Sequence, residues 1–202
     1  MISNEDIEIP YTPVSVYQAI FERRMTNQFT ADSVSRGALE RILGAAHWGP
    51  NHHLTEPERF FVFSGDSDVR DEVADLAWQE KYESVSNPNP GQKKKSADDA
   101  RNRVLSAPAL VYVFSVPGEK EEITRENYAA VCCGVQNAAL AAVAEGLALT
   151  WSTGSATTHP RLRETIGADS DWEMVGAMFI GKPEVLPKSY RTDPSERIYW
   201  LD

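Results

Sequence analysis

Residues 134–154 read GVQNAALAAVAEGLALTWSTG, and this stretch changes character halfway along. Val135 to Glu145 is rich in alanine and free of Gly and Pro, the composition of a helix whose small side chains let another helix come close. Gly146 stops it, because glycine ends helices in a left-handed conformation without a Cβ penalty. Leu147 to Trp151 is a short apolar run between turn residues, which predicts a strand, and Ser152-Thr153-Gly154 predicts a loop at its end. Upstream, the helix is expected to begin at Thr124.

The same punctuation recurs outward on both sides. Ala109 to Val116 (ALVYVFSV) is the clearest strand, closed by Pro117-Gly118, and Met174 to Ile180 (MVGAMFI) is another, stopped by Gly181 and Pro183. Phe60 to Phe63 is a continuous apolar run that predicts a strand buried on both faces. Leu39, Ile42, Leu43 and Ala46 fall at i, i+3, i+4 and i+7 and predict a helix that Gly49-Pro50 ends. Thr12-Pro13 predicts a helix start, with Val16, Ala19 and Ile20 as its apolar stripe and Arg23-Arg24 at its end. A helix from Asp68 is expected to bury Val69, Val73 and Leu76. Ser84 to Lys95 (SVSNPNPGQKKK) reads as a mobile surface loop, and Ser96 with Asp98 and Asp99 as the start of the next helix. Pro160 to Ile166 predicts a short helix with Gly167 past its end. The expected organisation is an arm over residues 1–12 and one α+β domain over residues 13–202, with the 84–95 loop as a lid.

Composition bounds the function. Lys plus Arg number 20 against 30 Asp plus Glu, a formal charge of -10, whereas a non-specific nucleic-acid binder needs cations to replace phosphate counterions. The start, MISNEDIEIP, is acidic where a signal peptide is basic and then apolar, and no apolar run reaches the length of a membrane span. Cys132 and Cys133 are neighbours on a predicted helix and cannot face each other, so a disulfide framework is not expected and a reducing cytoplasm is.

The chain has no G-x-S-x-G, H-E-x-x-H, paired C-x-x-C, P-loop or G-x-G-x-x-G. Four segments carry candidate chemistry instead. Arg23-Arg24 either binds an anion such as phosphate or places cations on the negative end of a helix dipole. Trp48-Gly49-Pro50-Asn51-His52-His53 could line a planar ligand or form a plain turn; His47, His52 and His53 have no flanking carboxylate at a usual ligand spacing, so no metal is expected. Trp151-Ser152-Thr153-Gly154 closes a strand, where crevices open in α/β sheets, and Tyr190-Arg191 is a second cationic spot.

In order and spacing these segments resemble the flavin-dependent nitroreductase family, closest to its small single-domain branch, from about Val14 to the C-terminus. The carriers are Arg23-Arg24-Met25-Thr26-Asn27-Gln28-Phe29, Gly49-Pro50-Asn51-His52 running to Phe60, and Gly134-Val135-Gln136-Asn137 with Glu145-Gly146-Leu147. Trp151-Ser152-Thr153-Gly154, Val175-Gly176 through Gly181-Lys182-Pro183, and Arg191 complete the series.

The resemblance implies a central, mostly antiparallel sheet of four to five strands flanked by helices. It also implies a homodimer whose C-terminal tail reaches the partner, with FMN at the interface. Arg23, Arg24 and Arg191 are then expected at the phosphate, with Met25 and Asn27 in the same segment. Trp151, Ser152 and Thr153 are expected along the isoalloxazine, Trp48 near it, and His52 at the partner's FMN. The implied activity is oxidation of NADPH or NADH and reduction of nitroaromatics, quinones or related small electron-poor compounds, with ping-pong kinetics. The hydride passes through the flavin, so no side chain is named as catalytic. Met25 has no hydroxyl where the family offers Ser, and Asn27 is neutral where it offers Arg or Lys. Losing one charge-assisted and one neutral hydrogen bond costs about 2–4 kcal/mol. Both positions favour the alternative, a flavin-binding or flavin-free module without nicotinamide-driven turnover.

Overall fold

Ala109 to Ser115 (strand β2) is buried at every residue, and the molecule is arranged around it. The computed structural model describes residues 7–87 and 89–201. Four strands pair antiparallel in the order β1-β2-β4-β3, where β1 is Glu58–Phe63, β3 is Ala148–Ser152 and β4 is Glu173–Gly181. Successive side chains on a strand point to opposite faces, so a strand in the middle of a covered sheet must be apolar throughout. Ala109, Val111 and Val113 face one core, which they share with Ile42, Val131, Val135 and Leu149. Leu110, Tyr112 and Phe114 face the other, with Val73, Val104, Leu162 and Phe179.

Helices α2 (Arg36–His47) and α5 (Glu121–Ala144) supply the first core; α3 (Asp68–Ser84) and α4 (Pro90–Ser106) supply the second. A short α1 (Val16–Glu22) packs on α5, and α6 (Ser155–Thr158) and α7 (Leu162–Ile166) follow β3. By length and mean hydropathy α5 could cross a membrane, although no unbroken apolar run in the sequence is that long; here it is the core helix under the sheet.

Several expectations are corrected. The stretch 84–95 is not one loop: α3 runs to Ser84 and α4 begins at Pro90, so only residues 85–89 connect them, and Pro88 lies outside the described residues. Asn89 caps α4, its side chain accepting from the amides of Gly91 and Gln92, with Pro90 in the first turn where its missing N–H is harmless. Lys94 and Lys95 then pair one helical turn on with Asp98 and Asp99, which makes the lysine run part of a helix surface. Strand β1 lies at the sheet edge and is only half-buried, because it has a neighbour on one side alone. Helix α1 is capped by Ser15, not Thr12, and turns Ala19 inward while Val16 and Ile20 stay exposed; Val69 of α3 is also largely exposed.

Helices α2 and α5 touch backbone to backbone. A Cβ on Gly134 would stand 2.5 Å from the Ala46 carbonyl oxygen, and one on Gly49 would stand 3.0 Å from the Ala130 carbonyl oxygen. Gly134→Ala should therefore lower stability by about 1–3 kcal/mol, the usual range for overpacking, seen as a reduced midpoint in urea unfolding. An unchanged midpoint would show that the crossing can open without cost.

Candidate functional site

The helical cover is incomplete at β3. On the face that α3 and α4 cover, β3 presents Thr150 and Ser152, opposite Phe179 and Ala177 of β4. A connecting segment, residues 25–28, with a bend at Asn27, lies over that strip; the Thr26 N–H donates to Thr150 Oγ1 at 2.9 Å, and the Thr150 hydroxyl donates to the Thr26 carbonyl at 2.6 Å. The next residues run beside the end of β4, with Phe29 bridging Pro183 and Thr30 N–H donating to the Lys182 carbonyl. Between this segment, α4 and the start of the C-terminal tail is an open cleft of about 510 Å³.

Met25, Thr26, Asn27 and Gln28 form one wall; Thr150, Trp151 and Ser152 form the floor, Trp151 with its indole turned to the face that α2 and α5 cover; Val185 and Pro187 close the tail side. Arg103 reaches in from α4. Its guanidinium lies over the Phe179 ring, 4.2 Å from the centroid, and Nη1 stands 3.4 Å from Ser152 Oγ. Its Nε is buried without a hydrogen-bond partner among the described residues. Burial pulls its pKa below the usual arginine value, with no neighbouring carboxylate opposing that among the described residues. Arginine stays protonated under such conditions, so the cleft holds an uncompensated cation.

Trp151 is seated by a bulge in β4. The β2–β4 register shifts between Val113, opposite Gly176, and Phe114, opposite Met174, so Val175 has no partner across the ladder. The Val175 carbonyl accepts from Trp151 Nε1–H at 3.0 Å. Gly176 has φ 151°, and a Cβ there would stand 2.2 Å from Trp151 Nε1. Only glycine lets the indole lie flat against the strand at this point.

Of the site residues expected from the sequence, Met25, Asn27, Trp151 and Ser152 converge on the cleft of a single chain. The others lie elsewhere in that chain. Arg23 is the C-cap of α1, and the Arg24 guanidinium donates to the carbonyls of Phe21 (2.6 Å) and Arg23 (2.8 Å), which is the helix-end role for a cation. Trp48 is half-exposed at the end of α2. The His52 ring lies 4.4 Å from that of His53, which pairs with Glu126 at 3.3 Å, while His47 pairs with Glu58. Thr153 is exposed past β3, and exposed Arg191 donates to Ser189 Oγ (2.6 Å) and the Tyr190 carbonyl (2.8 Å). Arg103 and Thr150 are the members that sequence reading missed. Arg103 has no local signature: Arg101, two residues before it, is an ordinary surface arginine paired with Asp75 at 2.6 Å.

The family model described as Nitroreductase family matches residues 20–182. The Escherichia coli protein named "Putative NAD(P)H nitroreductase YdjA" is 26% identical over 172 residues, covering 83% of this chain and 88% of that protein. A crystal structure of a nitroreductase-like family protein from Bacillus cereus superposes with a TM-score of 0.78 at 28% identity, covering 97% of this chain and 100% of that one. Another, of a "putative nitroreductase in complex with fmn" from Desulfovibrio desulfuricans, has a TM-score of 0.71 at 24% identity over 96% of this chain and 99% of that one, a likeness of fold.

Gly176→Ala should unseat Trp151, with loss of the indole bond to Val175 and a changed near-ultraviolet circular dichroism band. The same spectrum as the parent protein would mean that the bulge has room for a methyl group.

Proposed function

The chain belongs to the nitroreductase family, and on that premise we propose that it is an FMN-dependent NAD(P)H oxidoreductase acting on small electron-poor compounds such as nitroaromatics or quinones. The observation that carries this reading is the half-buried Arg103 guanidinium in an open cleft, with its Nε unpaired and no carboxylate beside it among the described residues. A half-buried cation without a counter-charge favours a ligand that carries negative charge or an electron-rich ring. FMN fits the donor set: Asn27, Gln28, Ser152 and Arg103 are polar groups along the cleft, in a volume within the usual range for cofactor sites.

When bound, FMN accepts hydride equivalents from NADH or NADPH and delivers them to the second substrate, which gives ping-pong kinetics. Arg103 would hold the electron-rich edge of the ring system and stabilise negative charge there. Trp151 and Ser152 would orient the ring, and Met25 and Asn27 would flank it. Arg23 and Arg24, at the end of α1 beside this segment, would hold the phosphate together with Arg191. Trp48 and Thr153 would border the ring.

The same proposal includes a homodimer. In the single chain Tyr17 and Phe21 of α1 are 75% and 71% exposed, and Tyr199, Trp200 and Leu201 of the tail are 83%, 81% and 94% exposed. Apolar surface of that extent is characteristic of an interface, and a second copy brings the tail, with Arg191, and the His52 turn within reach of the shared clefts. We take residues 13–202 as one domain, working in the cytoplasm without membrane or nucleic-acid partners.

Titration of the purified protein with FMN, followed by anaerobic NADH or NADPH, tests the reading. A yellow protein bleached by either nicotinamide is expected; bleaching by dithionite alone would favour the binding module that Met25 and Asn27 suit. Arg103→Ala should weaken FMN binding by about 1.5–3 kcal/mol, the range for a hydrogen bond to a charged group. FMN affinity equal to that of the parent protein would remove Arg103 from the site.

A further inference from the structure

We infer that Thr150 is a positioning residue, whose hydroxyl fixes the place of the 25–28 segment and so presents Met25 and Asn27 to the cofactor cleft; this rests on the FMN reading of that cleft. Thr150 lies at the middle of β3, 3% exposed, and its hydroxyl is satisfied by backbone. That hydroxyl does two things at once. It accepts from Thr26 N–H at 2.9 Å and donates to the Thr26 carbonyl at 2.6 Å, pairing both backbone groups of one residue across 124 positions of sequence. A strand neighbour would normally satisfy these two groups, and here one side chain substitutes for it.

The consequence is a fixed position for the cleft wall. Thr26 is held inward, 7% exposed, beside a bend at Asn27, and Met25, Asn27 and Gln28 around it stay exposed along the cleft. The Thr26 hydroxyl extends the lock by accepting from Gln28 N–H at 3.1 Å, and the Gln28 carbonyl accepts from Glu184 N–H at 3.0 Å. One buried threonine thus joins the β3 floor, the 25–28 wall and the root of the tail, the three parts that line the cleft with Arg103.

The test compares Thr150→Val, which keeps the shape and loses the hydroxyl, with Thr150→Ser, which keeps the hydroxyl. FMN affinity is read by fluorescence titration of the flavin-free proteins, with circular dichroism to verify folding. Thr150→Val should bind FMN about tenfold or more weaker, the effect of unpairing buried backbone groups, while Thr150→Ser stays within about threefold of the parent protein. A folded Thr150→Val with parental affinity overturns the assignment, as does a Thr150→Ser that loses as much as Thr150→Val. Amide exchange on the unmutated, flavin-free protein reads the lock independently of any variant: Thr26 N–H should be protected and Asn27 N–H should not. Free exchange of Thr26 overturns it even where Thr150→Val does not fold. A parent protein that takes up no FMN would defeat the cofactor reading, and the exchange measurement would still decide the lock.

Discussion

A sheet covered on both faces can offer chemistry only where the cover stops, and that constraint organises this protein. β2 and β4 are closed in by α2 and α5 on one side and by α3 and α4 on the other. The second cover ends at Phe179, with the Arg103 guanidinium lying over its ring. β3, one strand further out, is left with Thr150 and Ser152 facing a strip that no helix fills among the described residues. The 25–28 segment covers part of that strip, and what remains is the cleft.

The polar groups at this margin divide into two kinds. Thr150 and Trp151 are satisfied by backbone, at Thr26 and Val175, and define the shape of the cleft. Arg103 has a buried Nε with no partner and a pKa lowered by burial alone. A satisfied buried polar group contributes order, whereas an unsatisfied cation is a standing attraction for an anion or an electron-rich ring. In a chain of formal charge -10 this cation at the edge of a cleft stands against the net charge, and the flavin proposal rests on it.

Much of the fold was legible because its signals are local. The alternation that lets β2 serve two cores, the run from Met174 to Ile180, and the stop at Gly146, which has φ 72°, depend on neighbours in sequence. The 84–95 stretch misled because its Pro, Asn and Gly residues are also good cap residues, and Asn89-Pro90 starts a helix. Trp151, Ser152, Met25 and Asn27 were legible as candidate site residues through motif order. Arg103 was not, since Arg101 and Arg103 differ only in which way a helix turns them: one toward Asp75, the other under the cover onto Phe179.

The sequence by itself determined the class, the strands and most helices, and the order of segments that marks the family, because periodicity, caps and turn residues act over a few positions. Only the tertiary structure decided that a threonine on β3 holds residue 26 and that a glycine in β4 makes room for an indole from β3. It alone left an arginine on α4 without a counter-charge among the described residues. Each of these is a contact between elements far apart in the chain, governed by strand register, helix rotation and the edge of a core, none of which is encoded in any single segment.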